Sequence, residues 1–385
     1  MAGTIIESQL TARATSATRF ALAAEENDTA IRRLLRENPM SGEIALSFER
    51  EPDYFRGSQI AGAENQIILA FERGRLVGMG RCSVRDRFVN GKVCRVGYLS
   101  ELRLDSSAQG RFDLLRRGYR FFRELNRSNP ADFYFTSVTA DNFRSLRFLE
   151  RGLPGMPVYE PLGDFVTLLI AVPGNARRLT RLKAGRGTIA AASEEHVSAL
   201  AEFLISHARQ HNLSSVWDER KLFSLERHGL PLADFQLLMN DRKIVACGAL
   251  WDQHRFRQIV IRGYSRRLTF ARPWLNLFSG VFRAPRLPPV GSTLAHGFLS
   301  PLAVSPDDKQ ALLALVELSL SKAATRGLDY LTLGFALNDP RLETVRSQFR
   351  CREYKNRLFK VCWKEANSTG IILNDNPMFP EVALL

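Results

Sequence analysis

The chain has 385 residues, a net charge of +14 and 45% hydrophobic side chains. That length accommodates two domains of ordinary size. No apolar run is long enough to span a bilayer as a helix, and Met1–Ala17 lacks the apolar centre of a secretion signal, so a soluble, cytoplasmic protein without a membrane partner is expected. The five cysteines, Cys82, Cys94, Cys247, Cys351 and Cys362, are odd in number and free of CxxC spacing. They argue against a disulfide framework and against structural zinc, and no metal is expected. Basic residues are spread along the chain. The densest cluster, Arg177, Arg178, Arg181, Lys183 and Arg186, falls between the two halves and reads as a solvated linker in preference to a nucleic-acid patch. A polyphosphate cofactor also suits the surplus charge.

Residues 1–17 read as a loose leader. A short strand over Phe20–Ala24 precedes a helix starting near Thr29, where Asn27 and Asp28 offer capping side chains and Ile31, Leu34 and Leu35 share one face. Ile44–Phe48 reads as extended, and Pro52 and Gly57 bracket a short turn or helix. A hairpin follows, with Gln66–Phe71 and Leu76–Val84 joined by Glu72-Arg73-Gly74-Arg75. Asn90-Gly91 marks a second tight turn before the strand Val93–Leu104. The next helix, from about Gly110 to Leu125, carries Leu114, Leu115, Tyr119, Phe122 and Leu125 at helical spacing. Asp132–Thr139 is a strand, Asn142–Arg151 a helix closed by Gly152, and Phe165–Val172 a strand.

Residues 173–187, rich in Gly, Arg and Lys, form the expected linker. The order of elements then repeats: strand Thr188–Ala192, helix Glu194–Ala208, strands Phe235–Met239 and Ile244–Trp251, strand Phe298–Val304, helix Asp307–Thr325, strand Tyr330–Phe335, helix Arg341–Gln348 and strand Leu358–Trp363. The expected organisation is a domain over residues 18–172, a linker over 173–187, a second domain over 188–366 and a tail over 367–385. Residues 265–297 have no counterpart in the first half and read as an insertion.

Two segments carry a likeness. Val93–Leu104 leads through Asp105-Ser106-Ser107-Ala108-Gln109-Gly110-Arg111 into the helix Phe112–Leu125. Further on, after the strand ending at Thr139, Asn142 opens a helix with a small residue, Ser145, three positions on and an aromatic, Phe148, three beyond that. These segments resemble the GNAT superfamily of N-acetyltransferases, over most of the first half up to Val172. The resemblance implies an α/β (α+β mixed sheet) fold class, with two tandem GNAT-like domains, each a central mixed sheet flanked by helices.

It also implies acetyl-CoA (acyl-CoA) as co-substrate, lying between two splayed parallel strands. Leu102, Arg103 and Leu104 would line its arm, and Gln109, Gly110 and Arg111 its pyrophosphate, at the positive end of a helix. Asn142 and Ser145 would face the arm, although Asn142 also reads as a plain N-cap and Ser145 as a helix-face residue. The family loop has a Gln or Arg, two variable residues, Gly, one variable residue, then Gly or Ala. Here Gln109-Gly110-Arg111-Phe112 holds a single glycine, so the cradle is degenerate. The corresponding segment of the second half, Leu302–Lys309, has no glycine, and Asp307 and Asp308 would repel phosphate. With Asn338 as the analogue of Asn142, that half is expected to complete the cleft or support the first rather than hold CoA.

For the chemistry, Glu101 is the candidate base, since it lies on the strand beside the expected acyl group. The alternative reading is a strand glutamate paired with Arg103 or a neighbour. Phe148 stands where the family carries a tyrosine acid, so that hydroxyl is absent; Tyr119, Tyr134, Tyr159 and Tyr354 are the other hydroxyls considered. All six histidines lie in the second half, and His207 with His211, at i and i+4, reads as a polar helix face. The expected function is an acyl-CoA-dependent N-acyltransferase acting by direct transfer on a small-molecule or peptide amine. An aminoacyl-tRNA-dependent transferase and a non-catalytic binding protein on a degenerate scaffold are the alternatives. Nucleic acid remains a possible partner but is not favoured.

Overall fold

The structure is a computed structural model and describes residues 18–40, 42–173, 188–277, 287–363 and 371–385. The leader, the linker from residue 174 with its basic cluster, and the start of the tail lie outside the described residues. The first half runs β1 (Arg19–Leu22), α1 (Asp28–Glu37), β2 (Ile44–Glu49), α2 (Ser58–Ala61), β3 (Glu64–Glu72), β4 (Arg75–Val89), β5 (Lys92–Leu104), α3 (Phe112–Leu125), β6 (Phe133–Thr139), α4 (Phe143–Glu150) and β7 (Val158–Ala171). The second runs β8 (Thr188–Ala191), α5 (Val197–Ala208), α6 (Glu219–Ser224), β9 (Phe235–Asn240), β10 (Lys243–Trp251), β11 (Gln258–Tyr264), α7 (Arg266–Leu277), β12 (His296–Val304), α8 (Lys309–Thr325), β13 (Tyr330–Ala336), α9 (Pro340–Gln348) and β14 (Cys351–Cys362). The two turns read from sequence form as hairpin turns should. Arg73 and Gly74, and Asn90 and Gly91, all adopt positive φ (51°, 77°, 53° and 76°), the twist that matches paired strands.

The strands form one 12-stranded mixed sheet in the order β1-β3-β4-β5-β6-β14-β7-β13-β12-β10-β9-β8, and β2 pairs with β11 in a separate ribbon. The order is nearly palindromic, so each strand of the first half has a counterpart in the second. The last strand of each half crosses to the other. β7 pairs antiparallel with β13, β14 pairs antiparallel with β6, and the two lie side by side at the centre. The cores are exchanged in step. Phe359 and Val361 of β14 pack with Phe122 of α3 and Tyr134 of β6, whereas Val166, Leu168 and Ile170 of β7 pack with Leu315, Leu331 and Phe335 of the second half.

The expected mixed sheet with flanking helices is present, and the two halves share it. Elements not anticipated are α6, α7 and β11, together with long N-terminal extensions of β7 and β14. Among the described residues no helix is long and apolar enough to cross a membrane.

Candidate active site

Two parallel pairs lie at equivalent places in the sheet. β5 runs beside β6 from Val96↔Phe133 to Leu99↔Thr136, and β12 beside β13 from His296↔Tyr330 to Phe298↔Thr332. Beyond Leu99 and Phe298 the partners diverge, which leaves a wedge in each half. The Thr136 hydroxyl donates to the Leu99 carbonyl at 2.7 Å and marks the point of the first split.

The first wedge is flanked by a bulge. Arg103 faces Met79 and Ser100 faces Arg81, so Glu101 and Leu102 together oppose the single residue Gly80. Glu101 takes φ 52° there, in the left-handed region. Because the bulge breaks the two-residue alternation, Leu102 is exposed while Glu101 turns inward.

Glu101 meets residues from three other elements. Its carboxylate accepts from the Arg50 guanidinium at the end of β2, with Nε at 3.2 Å and Nη2 closer, and from the Tyr54 hydroxyl at 2.5 Å. Arg81 of β4 adds a cation at 3.8 Å and is itself held by the Asn65 side-chain oxygen at 2.7 Å. Tyr54 is positioned through its N–H, which donates to Asp28 at 2.7 Å. Burial alone would raise the Glu101 carboxyl, but Arg50, Arg81 and the hydrogen bonds outweigh it and hold it well below the ordinary carboxylate range. Burial and Glu101 push the Tyr54 hydroxyl up. From the second half, Arg257 acts electrostatically on this cluster; burial first, then Arg50, brings it down to about 10.

The sequence did not single out Arg50, Tyr54, Arg81 or Arg257. One signal was available. Arg81, Ser83, Arg85 and Arg87 recur at every second position of β4; Arg81, Ser83 and Arg87 are buried and Arg85 is half-buried, with Arg81 and Ser83 bonded to Asn65 and Arg85 and Arg87 to Ser215 and Leu213 of the second half. Arg85 lies over the Trp217 ring at 5.0 Å and Arg87 over Phe135 at 5.2 Å.

The loop after β5 is tightly bonded. Asp105 accepts from the Ser107 N–H at 3.0 Å and from Arg75 at 3.0 Å, and Gly110 has φ 82°. Gln109 and Gly110 are exposed. Arg111 is engaged on both sides, with Glu72 at 2.7 Å and Asp113 at 3.2 Å. The Asp113 carboxylate lies on the first amides of α3, and Arg111 and those amides hold it below the usual range. Asn142 caps α4 by accepting from the Ser145 N–H at 3.2 Å. Phe148, in the last turn of α4, stacks on Phe112 at the start of α3, with ring centroids 5.0 Å apart. Tyr119 and Tyr159 share a hydrogen bond at 2.6 Å, and the Tyr134 hydroxyl accepts from the Ala131 N–H at 2.9 Å.

The second wedge is different. Every residue of β12 and of β13 is buried, whereas none of Ser100–Leu104 or Thr136–Ala140 is. Helices α5, α8 and α9 and the C-terminal segment together cover these strands. Glu381 accepts from Ser300 of β12 at 2.9 Å and from the Trp217 indole, Gln253 donates to the Ala383 carbonyl at 3.1 Å, and Val382 lies against Gly334 of β13. Asp308 caps α8 through the Ala311 N–H at 2.9 Å. The cap of α9 is Asp339, accepting from the Arg341 N–H at 2.9 Å, so Asp339 and not Asn338 is the structural counterpart of Asn142.

The reading of His207 and His211 as a polar helix face is also corrected. His211 is 3% exposed, and both rings pack round the buried Arg341 guanidinium, which reaches their Nε2 atoms at 3.3 Å and 3.0 Å. Burial first, then the neighbouring cations, lowers His207 to about 3 and His211 to about 4.

No protein-family model matches the sequence, and no curated protein does. Solved structures do match the fold. Saccharomyces cerevisiae N-myristoyltransferase with bound myristoyl-CoA aligns at TM-score 0.58 and 11% identity, over 91% of this chain and 80% of that one. A GCN5-related N-acetyltransferase from Sphaerobacter thermophilus aligns at TM-score 0.52 and 11% identity, over 89% of this chain and 95% of that one. A GCN5-related glucosamine N-acetyltransferase region of a fungal multi-domain GH3 β-N-acetylglucosaminidase aligns at TM-score 0.56 and 12% identity, over 90% of this chain but only 38% of that one. At such identities the likeness concerns the fold and not the substrate. With its splayed parallel strands, strand–loop–helix runs and doubled order of elements, the chain has the fold of the GNAT superfamily.

Proposed function

We propose that the chain is an acyl-CoA-dependent N-acyltransferase, with acetyl-CoA as donor and an amine as acceptor, and that the first half holds the cofactor. The observation that supports this is the contrast between the wedges. None of Ser100–Leu104 and Thr136–Ala140 is fully buried, whereas β12 and β13 of the second half are buried throughout, in part beneath the C-terminal segment. The pantetheine arm would lie along Leu102, Arg103 and Leu104, whose edge is free of β6, and its pyrophosphate beside Gln109, Gly110 and Arg111. Asn142 and Ser145 would border the arm.

In direct transfer the amine nitrogen bonds to the thioester carbonyl carbon, the C–S bond breaks, and the amine proton is released. Backbone N–H groups of β5 would answer the charge on the carbonyl oxygen. Glu101 is proposed beside the attacking nitrogen. Held ionised, it accepts a proton poorly, so its contribution is to stabilise the cationic nitrogen of the tetrahedral adduct before the proton passes to water. CoA leaves as a thiolate, the conjugate base of a thiol with a pKa of about 8.5, a good leaving group that takes its proton from water, so the absence of a hydroxyl at Phe148 is a small handicap.

A non-catalytic binding protein is the second reading, and Asp113 favours it, because its carboxylate occupies the helix end where phosphate would sit. Calorimetric titration with acetyl-CoA decides between them. Saturable binding that Gly110→Glu abolishes, with CoA released on adding amines, supports the enzyme. Absence of binding to acetyl-CoA refutes it as stated, and salt-sensitive binding of tRNA in its place would point to an aminoacyl-tRNA donor.

A further inference from the structure

The insertion that has no counterpart in the first half contains α7 (Arg266–Leu277), which, unlike an ordinary surface helix, presents its largest apolar side chains outward. Phe270, Trp274 and Leu277 recur at i, i+4 and i+7 and are 81%, 65% and 70% exposed. Arg266 and Arg267, also exposed, flank that stripe at helical spacing. The face turned to the protein carries Leu268, Ala271, Arg272 and Asn276, all half-buried. Arg272 donates to the Leu287 carbonyl at 3.2 Å and lies over the Tyr264 ring at 5.4 Å. Asn276 donates to the same carbonyl at 3.0 Å and accepts the Leu287 N–H at 2.7 Å. These bonds fix the rotation of the helix, so the aromatic stripe is held outward by the fold.

An aligned stripe of large apolar side chains marks an interaction surface. Aromatic and leucine side chains bordered by arginine suit a helix that lies in the headgroup region of a bilayer, rings at the acyl boundary and guanidiniums on lipid phosphates. The charge of the chain, +14, makes that surface an anionic one and opposes self-association through the same face. We propose that α7 docks the protein on an anionic lipid surface, which revises the expectation of no membrane partner without requiring a spanning segment.

The test uses the full chain and sedimentation with large vesicles, either phosphatidylcholine alone or phosphatidylcholine with phosphatidylglycerol. Binding is expected on the anionic vesicles, weaker on the neutral ones and falling with salt. The paired change Phe270→Ser with Trp274→Ser should weaken it about tenfold or more, and Arg266→Glu with Arg267→Glu should remove the preference for phosphatidylglycerol. Because these side chains are exposed, both variants should melt as the parent does. Of the other three tryptophans, Trp217 and Trp251 are buried and Trp363 packs on Phe122 and Tyr134, so a blue shift of emission on binding should vanish with Trp274→Ser. The proposal is overturned if the parent protein fails to sediment with anionic vesicles, or if the serine variant binds them equally well. It is equally overturned if light scattering shows a dimer that the serine changes convert to monomer, since the face then belongs to a second copy.

Discussion

A non-glycine residue held at φ 52° inside a strand costs on the order of 1 kcal/mol, and a carboxylate taken out of water costs more unless opposite charge meets it. At Glu101 both conditions coincide, and Arg50, Arg81 and Tyr54 supply the compensation. The carboxyl is depressed in the folded state. Its contribution to stability is therefore present above the ordinary carboxylate range and is lost as pH falls toward the folded value. The same depression decides its catalytic role. An ionised group that does not titrate near neutrality leaves no limb in a pH–rate profile. Glu101→Gln keeps a hydrogen bond to Tyr54 but removes the charge, and kcat/KM for acyl transfer should fall about 100-fold with the apparent pKa values of the profile unchanged. Loss of an acidic limb in the variant would instead assign Glu101 as the base.

At the level of elements, the end of α5 and the start of α9 meet through His207, His211 and Arg341. Below the ordinary histidine value of 6.5 the unfolded chain takes up protons that these two rings, at about 3 and about 4, refuse. Stability is accordingly full above pH 6.5 and is lost as pH falls toward the folded values, by up to about 1.4 kcal/mol per pH unit for each neutral ring. His211→Gln keeps an oxygen for Arg341 without the titration, so its melting temperature should decline less steeply than the parent's between pH 6.5 and 4.5. Phe379, 6% exposed, packs on both histidines and on Arg341. Phe379→Ala should cost about 3–5 kcal/mol in urea unfolding. Elements like these differ in how far sequence reveals them. β5, its loop and α3 were legible because hydrophobic period, Asn-Gly turn and helix spacing agree locally. β11 was missed because Gln258–Tyr264 has only short alternation and pairs with β2 from far earlier in the chain, Gln258 opposite Glu49 and Tyr264 opposite Ile44. The C-terminal segment, interrupted by Pro377 and Pro380, has no period at all, and its burial depends wholly on the wedge that receives it. The Glu101 cluster was half legible: the glutamate stands in a recognisable strand, but Arg50, Tyr54 and Arg81 come from separate elements that no spacing rule joins.

For the whole molecule, the exchange of β7 and β14 sets how the chain folds. Without β14 the first half leaves β6 as an open edge and removes Phe359 and Val361 from beneath Phe122 and Tyr134. Without β7 the second half loses Val166, Leu168 and Ile170 from its largest core, and β13 is exposed along seven paired positions, Tyr330 to Ala336. The ribbon of β2 with β11 adds a second exchange in the same sense. Each half therefore lacks part of its own sheet, and the unit of folding is the pair. Residues 18–172 and 188–385, each produced alone, should be insoluble or lack cooperative melting. Produced together, they should purify as a one-to-one complex whose circular dichroism and melting transition approach those of the intact chain. Independent, cooperative folding of either fragment would show that the exchanged strands are dispensable and that the two halves are separate domains lying side by side.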